Sequence, residues 1–357
     1  MVKLSFVRNP VSGRKSRPIG VFAALAAGFD RVAANPILIL PTLLLDLFLW
    51  FGPHLSIAPL IPQDLSWIGA TSSPDPTTSE QIAVLQSFLN ELRVRINLLS
   101  GLSAIPQGMP FNLRSGTGSL PAGVPSLMAY RLPISNPFGP ALTVAMENPY
   151  LALLAWIALT IGGTGFGIIL HRKIVRQLTP GEELGSGWKA WGRMTLLSLV
   201  AYGGGILIVV VTLIVAAFVW QFGDFLGIAL LLLGLSVIFW LAVYLIFTAH
   251  GIINYDFSLF KAMLESASFV RMNMLSTIGF LFITFGISWV GVEYVWSLPD
   301  ENSWFTLLAL GGYAFVSATL LTAGHVFYRG RRAWFQEVKE AIARQTQEGR
   351  DAGGPVT

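Results

Sequence analysis

The sequence predicts an all-α integral membrane protein with six transmembrane helices and both termini in the cytoplasm. Of its 357 residues, 54% are hydrophobic and 12% are charged, and the mean hydropathy is +0.64. A soluble domain carries about 25% charged residues, so this composition excludes an ordinary soluble globular protein, a disordered chain and a nucleic-acid binder. Six apolar stretches also have the length of about 20 residues that a helix needs to cross the hydrocarbon core.

The chain begins with a basic segment, residues 1–35, which we expect to be cytoplasmic and to end in an amphipathic elbow helix on the membrane surface. The first span follows at residues 36–55. Pro41 interrupts this span, and Asp46 is the one charged residue predicted inside any span. Trp50 falls near the outer end, as expected for an interfacial aromatic residue.

Residues 56–147 form the longest stretch without a span, and we expect them to be an outer loop. The loop holds eleven of the twenty prolines. Within it, residues 79–103 predict a helix, because the following apolar residues recur at helical spacing: Ile82, Leu85, Phe88, Leu89, Leu92, Ile96 and Leu99. This helix either contacts a partner or the membrane surface, or packs on the loop's own apolar residues, and the second reading is the more ordinary one. We expect residues 101–140 to be irregular.

Five further apolar stretches follow, at residues 148–170, 196–220, 225–248, 274–293 and 304–324. Backbone groups in lipid must form their hydrogen bonds within the segment, so uninterrupted apolar runs of this length predict helices rather than strands. Pro149 stands in the first turn of the second span, where proline is tolerated. Cytoplasmic loops at 171–195 and 249–273 join these spans, and the chain ends in a basic tail at 325–357.

The orientation follows from the distribution of Lys and Arg. Nineteen of these residues fall on the side of both termini and four fall on the other side. Cytoplasmic loops carry the excess of positive charge, so the count predicts cytoplasmic termini in a cell-membrane protein. The same residues predict contact with anionic lipids at the cytoplasmic face. Because they are dispersed in short loops, they do not indicate nucleic acid.

A short repeat precedes the third and fifth spans. The sequence Arg-Met-Thr-Leu-Leu-Ser at residues 193–198 is similar to Arg-Met-Asn-Met-Leu-Ser at residues 271–276, and each follows an amphipathic stretch with a Lys-Ala pair. Amphipathic helices of this kind lie in the membrane interface with their cationic groups at the head groups. We therefore predict elbow helices at residues 189–194 and 260–272 along the inner leaflet.

The second half of the chain, residues 180–335, resembles the six-helix superfamily named after the glycerophosphoryl diester phosphodiesterase membrane domain. The resemblance is carried by Gly-Ile-Ile-Asn-Tyr-Asp at 251–256, by the segments at 260–267 and 271–273, and by His-Val-Phe-Tyr-Arg at 325–329. It implies a six-helix architecture, and the family has no settled common activity. The chain departs from the family at Asp256, where relatives tend to have Glu, and in its long outer loop. No segment has the roughly 200 residues that a fused phosphodiesterase barrel needs.

Catalytic and metal-binding motifs are nearly absent from the sequence. It contains no His-Glu-x-x-His, no P-loop and no Gly-x-Ser-x-Gly. A glycine-rich run at 162–167 lies inside the second span, where small residues favour close helix packing. The four histidines, His54, His171, His250 and His325, lie in separate loops or at helix ends. No pair has the spacing of metal ligands, so we expect neither a metal nor another cofactor.

Six polar positions remain as candidates. Asp46 lies inside a span, where an ionisable residue costs about 2.5–3.5 kcal/mol, and its role is either functional or structural. No second charged residue is predicted in the interior of a span to exchange a proton with it, which favours the structural role slightly. Glu293 ends the fifth span as an interfacial carboxylate. His250 and His325 fall at cytoplasmic helix ends, which favour a cation, and are predicted to be interfacial, with a pH-sensing role as the alternative. Arg193 and Arg271 are also predicted at the interface.

The leading functional hypothesis is a non-enzymatic multi-pass membrane protein that organises a membrane complex or the lipid envelope, with a membrane protein partner at the outer loop. The alternative is a small transporter or channel with Asp46 in the pathway, since broken helices and glycine-rich spans suit such a protein. An intramembrane enzyme is the third possibility, and the sequence offers it no paired acid, base or nucleophile.

Overall fold

The structure is a computed structural model that describes residues 18–63, 83, 86, 87, 89–91, 93–104 and 123–352. It confirms the predicted all-α membrane fold. Within the described residues, five helices are long and apolar enough to cross a membrane, and a bent helical pair adds a sixth if it counts as one span. The described strands are only two or three residues long.

The helices have the following bounds. They are α1 Val21–Ala34, α2 Leu40–Phe51, α3 Leu127–Arg131, α4 Pro149–Leu178, α5 Gly187–Val219, α6 Asp224–Leu245, α7 Thr248–Tyr255, α8 Leu259–Met272, α9 Met274–Val290 and α10 Thr306–Ala352. Short 3-10 helices lie at Pro36–Leu38, Ala58–Leu60, Leu98–Leu102 and Trp220–Phe222, and a π-helix lies at Gly291–Trp296.

Three short two-stranded ladders complete the described secondary structure. The strands are β1 His54–Ser56, β2 Ser103–Ala104, β3 Val124–Pro125, β4 Ser135–Asn136, β5 Gly139–Pro140 and β6 Thr143–Ala145. β1 pairs in parallel with β6, β2 pairs in parallel with β3, and β4 pairs antiparallel with β5. These ladders bring distant parts of residues 54–145 together without forming an extended sheet.

Local sequence explains where several helices begin and end. The side chain of Asn148 accepts hydrogen bonds from the first N–H groups of α4, and Pro149 occupies the first turn, as an N-terminal cap predicts. Ser126 caps α3 by accepting from the N–H of Ala129. Leu132 and Asp256, with φ of 52° each, end α3 and α7 in the left-handed conformation.

The first predicted span is a bent helical pair. The axes of α1 and the 36–51 segment meet at a bend of 100°, and the break lies at residues 35–39, so Pro41 starts α2 instead of interrupting it. α1 runs antiparallel along α10. Arg331 donates to the carbonyl of Ile19 at 3.1 Å, and Phe29 meets Phe315 with 5.3 Å between ring centroids. The helix that was predicted as a separate elbow on the membrane surface is therefore α1, the first helix of the bent pair, and it packs on α10.

Close packing holds α1 against α10. A Cβ on Gly28 would lie 2.6 Å from the carbonyl oxygen of Thr319 and 2.9 Å from the amide of Ala323. Only glycine fits at such a distance, so the sequence encodes this contact directly.

Part of the predicted outer loop enters the bundle. Gly101 lies beside Trp156 and Leu159 of α4, and Val124 belongs to a buried apolar cluster that contains Leu38 and Leu170. Along α4, the distance from residue 156 to residue 170 is about 21 Å. Residues 97–104 and 123–131 are therefore interior packing elements and do not belong to an irregular outer loop.

The helix predicted at residues 79–103 is described only in part. Ile82, Leu85, Phe88 and Leu92 lie outside the described residues. Leu89 is partly exposed, whereas Ile96 and Leu99 are buried. Residues 98–102 form a 3-10 helix against α4, so the C-terminal end of this segment packs on the protein itself.

The two predicted elbow helices have different outcomes. Residues 189–194 are part of the continuous helix α5, so a separate elbow there is wrong. Residues 260–272 fall in the separate helix α8, which buries Ala262, Ser266, Phe269 and Val270 and leaves Phe260 and Leu264 exposed. Its orientation along the inner leaflet stays a prediction.

α10 is the central helix of the bundle. In the apolar part of the helix at Thr306–Ala341, 67% of the residues are buried, against 6% in Gly187–Phe222 and 17% in Asp224–Tyr255. α10 also continues without a break through most of the predicted tail. The hairpin of α5 and α6 therefore stands at the periphery, while α1, α2 and the inserted loop surround α10.

Candidate functional site

Asp46 lies in the interior of the bundle and is completely buried. Its Oδ1 accepts a hydrogen bond of 2.5 Å from the hydroxyl of Ser126 and one of 2.9 Å from the backbone N–H of Met128. Both donors belong to the inserted loop at the start of α3, and Ser126 also caps that helix. The loop therefore fixes one oxygen of the Asp46 carboxyl group against α2.

Three polar atoms around Asp46 have no hydrogen-bond partner among the described residues. They are Oδ2 of Asp46, Oγ1 of Thr42 and Oη of Tyr313. Thr42 precedes Asp46 by one turn on the same face of α2, and Tyr313 of α10 is in electrostatic range of Asp46 and faces Ser317. A buried unsatisfied polar group costs about 1–3 kcal/mol, so a group of three is a functional candidate. We call Thr42, Asp46, Ser126 and Tyr313 the carboxylate cluster.

Three histidines meet at the other end of α10. His171 of α4, His250 of α7 and His325 of α10 are 2%, 3% and 0% exposed. Nδ1 of His171 lies 2.8 Å from Nε2 of His325, and the rings of His250 and His325 have centroids 4.5 Å apart. Asn254 of α7 reaches Nδ1 of His325 at 2.9 Å. We call these four residues the histidine cluster.

Hydrogen-bond geometry assigns the protons in this cluster. Nδ2 of Asn254 donates to the carbonyl of His250 at 2.7 Å, so this atom is the amide nitrogen and a donor. Its second hydrogen points to His325, whose Nδ1 is then an acceptor. A neutral imidazole carries its proton on the other nitrogen, so Nε2–H of His325 donates to Nδ1 of His171. The cluster is a directed chain from Asn254 through His325 to His171.

His250 differs from the other two histidines. Neither of its ring nitrogens bonds a side chain among the described residues, and the backbone of Ile246 lies within its hydrogen-bonding reach. The aromatic rings of Phe247 and Tyr328 pack against it, with centroids at 5.4 and 5.9 Å. No group of three or more His, Asp or Glu among the described residues is arranged to hold a metal ion. The described contacts make this cluster a buried hydrogen-bonding site.

His250 and His325 are both buried within the bundle, and their position at the depth of the membrane interface stays a prediction. The sequence also assigned no role to His171. The three residues are far apart in the chain, and their proximity depends on helix packing. One signal was present in the sequence. Each histidine lies one or two residues after the end of the second, fourth or sixth predicted span. Because successive spans alternate in direction, these three ends are expected on the same side of the membrane.

The other sequence candidates lie outside these clusters. Glu293, half-buried in the π-helix after α9, accepts a hydrogen bond from the hydroxyl of Tyr130. Arg193 forms an ion pair with Asp256 and donates to the carbonyl of Phe257 at 3.1 Å, so it joins α5 to the linker after α7. Arg271 is exposed near the end of α8.

His54 is buried in β1, outside the helices. Burial lowers the pKa of its imidazole below the ordinary value, and the negative charge of Glu301 opposes part of this change. His54 therefore provides a buried histidine that belongs to neither cluster.

Comparisons with known proteins add no relative to this geometry. No family model matches the chain, and neither the curated proteins nor the solved structures give a match. The resemblance to the six-helix membrane-domain superfamily stays an expectation from the sequence.

Proposed function

We propose that this multi-pass membrane protein is a transporter or channel, without a catalytic step, in which a small polar solute or ion passes Asp46. The observation that carries the proposal is the position of a fully buried carboxyl group in α2, about two turns beyond the break between α1 and α2 and opposite an inserted loop. Transporters bind their substrates and ions where discontinuous helices meet near the middle of the bundle.

The backbone around Asp46 supports this proposal. Residues 35–39 and 97–104 depart from regular α-helical geometry. Leu38 and residues 97–101 are buried in the bundle, whereas Pro36 and Ile37 at the break are exposed. Irregular backbone at membrane depth is tolerated only where protein surrounds it or where it lines a cavity. A protein whose only task is to span the bilayer does not need a bent pair and an inserted loop around one carboxyl group.

The histidine cluster removes the main argument for a purely structural Asp46. A lone buried carboxyl group has no second ionisable group to exchange a proton with. His325 of α10, together with His171 of α4 and His250 of α7, offers such a group about 18 Å along α10 from Tyr313, the residue of that helix that interacts electrostatically with Asp46. Ionisable residues within transmembrane bundles are characteristic of substrate and ion pathways.

A scaffold role is the second candidate, and the hairpin of α5 and α6 favours it. Only 6% of the apolar part of the first of these helices is buried. This surface contacts lipid or the helices of another membrane protein. A stable partner that co-purifies with the wild-type chain and is lost when this hairpin is replaced by an unrelated apolar hairpin would support the scaffold.

Reconstitution into liposomes tests the transport proposal. Swelling of the proteoliposomes in small polar solutes, together with fluorescent reporters of sodium, potassium, proton and chloride entry, should reveal flux above that of empty liposomes. Asp46→Asn keeps the shape and removes the titration, so we expect it to remain folded and to reduce the flux about tenfold or more.

Asp224→Asn is the matched control. Asp224 is an exposed carboxylate at the tip of the α5–α6 hairpin, where it accepts a hydrogen bond from Trp220, and its substitution should leave the flux unchanged. Thermal unfolding in detergent checks that all three proteins are folded. Flux at the empty-liposome level for every probe, or equal flux in wild type and Asp46→Asn, contradicts the proposal.

A further inference from the structure

One face of α10 connects the carboxylate cluster to the histidine cluster. Tyr313, Ser317, Leu321 and His325 follow one another at intervals of four residues and are all buried. This spacing keeps them on one side of a helix, and the rise from residue 313 to residue 325 is about 18 Å. The face therefore extends over more than half of a hydrocarbon core of about 30 Å.

Most side chains on this face can both accept and donate a proton. The phenol of Tyr313, the hydroxyl of Ser317 and the imidazole of His325 have this property, as does the carboxyl group of Asp46 at the start of the row. Oδ2 of Asp46 has no partner among the described residues, and the hydroxyl of Tyr313 is within hydrogen-bonding reach of Ser317 on the same face. Oδ2 of Asp46 is therefore free to accept a proton or a bridging water.

We propose that a proton moves between the carboxylate cluster and the histidine cluster along this face of α10, so that the transported or coupled ion is the proton. The inference rests on the proposed transport function and names its ion. It assigns to His171, His250 and His325 a role in proton transfer.

The step at the histidine cluster is balanced. Nε2–H of His325 passes its proton to Nδ1 of His171, and His171 releases its own proton from Nε2 to water at this end of the bundle. His325 takes a replacement proton at Nδ1 from the side of the carboxylate cluster when the amide of Asn254 turns away. Each imidazole ends neutral with one proton on its other nitrogen, and rotation of both rings restores the starting tautomers before the next proton moves. The ring centroid of His250 lies 4.5 Å from that of His325, so His250 is close enough to carry the replacement proton.

Burial in the bundle first, and nearby positive charges second, disfavour a proton that remains on the cluster. Arg329 acts on His325 electrostatically, and Tyr328 packs against His250. On α4, Arg172 follows His171 and donates to the carbonyl of Gly185. The carboxylates on that side are engaged, since Glu182 pairs with Arg329 and Glu265 pairs with Arg332. The cationic surroundings raise the energy of a positively charged imidazole.

Leu321 interrupts the polar face between Ser317 and His325. Its side chain belongs to the apolar cluster that includes Val32 of α1 and Leu38 at the break of the bent pair. Polar groups one turn apart need a bridging water, and an apolar constriction keeps water out. The described form is therefore closed at Leu321.

Proton flux into liposomes tests this inference. Proteoliposomes that enclose a pH-sensitive dye receive a potassium diffusion potential through valinomycin, and the initial rate of internal pH change is measured. We expect the wild type to exceed empty liposomes, and Asp46→Asn and His325→Gln each to reduce the rate about tenfold or more. Gln preserves a side-chain N–H toward His171 and removes the relay. His54→Gln, outside both clusters, should keep the wild-type rate.

Leu321→Ser is a gain-of-function variant that touches neither cluster directly. It adds a hydroxyl at the constriction, and we expect a proton leak above the wild-type rate. This leak should disappear in the double variant with His325→Gln. Thermal unfolding and gel filtration in detergent establish that each variant is folded.

The outcomes separate this inference from the proposed function. If another ion or solute moves in an Asp46-dependent manner while the wild type carries no protons, the proton inference is overturned and transport stands. If folded His325→Gln conducts protons at the wild-type rate, the path through the histidine cluster is overturned. If the wild type moves none of the probes, both proposals fail.

Discussion

At the scale of single residues, the ionisable groups in the interior of this protein differ from those near its periphery in how many of their hydrogen bonds are satisfied. Asp46 and the three clustered histidines are at most 3% exposed. Each retains only part of the hydrogen bonding that water would provide, and the bundle tolerates this cost in two places along α10. Arg193 and Glu293, by comparison, have partners near the ends of the helices.

His54 gives a pH prediction at this scale. Burial lowers its pKa in the folded state, whereas the unfolded chain has the ordinary value near 6.5. The unfolded state then binds more protons in the window below pH 6.5, so the contribution of His54 to stability is present above that pH and is lost as the pH falls. His54→Gln should therefore show a smaller loss of thermal stability between about pH 7.5 and about pH 5 than the wild type.

The measurement is the unfolding temperature in detergent at both pH values. The comparison between the two proteins isolates His54, because the histidine cluster is present in both. Identical pH dependence in wild type and His54→Gln would show that β1 does not keep this imidazole away from solvent.

At the scale of elements, the close contact between α1 and α10 holds the first helix of the bent pair against the bundle. We predict that Gly28→Ala destabilises the protein by about 1–3 kcal/mol, because overpacking forces backbone apart in a tight contact. The added Cβ would approach the carbonyl oxygen of Thr319 at 2.6 Å, and main-chain atoms cannot yield as a flexible side chain can.

Gly20→Ala is the control for this substitution. Gly20 stands at the N-terminus of α1, and an added Cβ there meets no atom within 4 Å. Unfolding in a denaturing detergent gives the free energies of unfolding. If the two alanine variants unfold alike, α1 does not pack on α10 through Gly28.

Local sequence explains other elements only in part. Proline and asparagine at residues 148–149 predict the start of α4, and the structure has it there. The repeat at residues 193–198 and 271–276 suggested two equivalent elbows. The helix is interrupted within the second copy, where α8 ends, but it continues through the first copy within α5. The difference arises at Asn273, which ends α8, while the corresponding Thr195 lies within α5 and bonds Thr164 of α4. Tertiary contacts thus override the repeat.

At the scale of the whole molecule, the membrane orientation remains a prediction from the distribution of Lys and Arg. Single cysteines at Ser73 and Ser186 test it in a chain without native cysteine. With both termini in the cytoplasm, an impermeant maleimide should label Ser73→Cys in intact cells and should label Ser186→Cys only after the cells are opened. The positive-inside rule is the physical reason.

Ser73 lies outside the described residues, and Ser186 is exposed just before α5. Labelling of both positions in opened cells is the control for their reactivity. The reverse pattern in intact cells would place the termini outside. The histidine cluster would then lie toward the outer side of the membrane and Trp50 toward the cytoplasmic side.

The amino-acid sequence by itself determined the membrane class, the approximate positions of the later spans and the presence of Asp46 in the first one. These features depend on the local free energy of transfer from water to lipid, which adds up along a short window of residues. Only the tertiary structure decided that α1 joins α2 in a bent pair, that residues 123–131 enter the bundle, and that His171, His250 and His325 meet. These features depend on which helix faces pack together across long sequence separations. The composition of a transmembrane helix is enough to show that it lies in lipid, but its apolar surface does not determine which other helix it packs against.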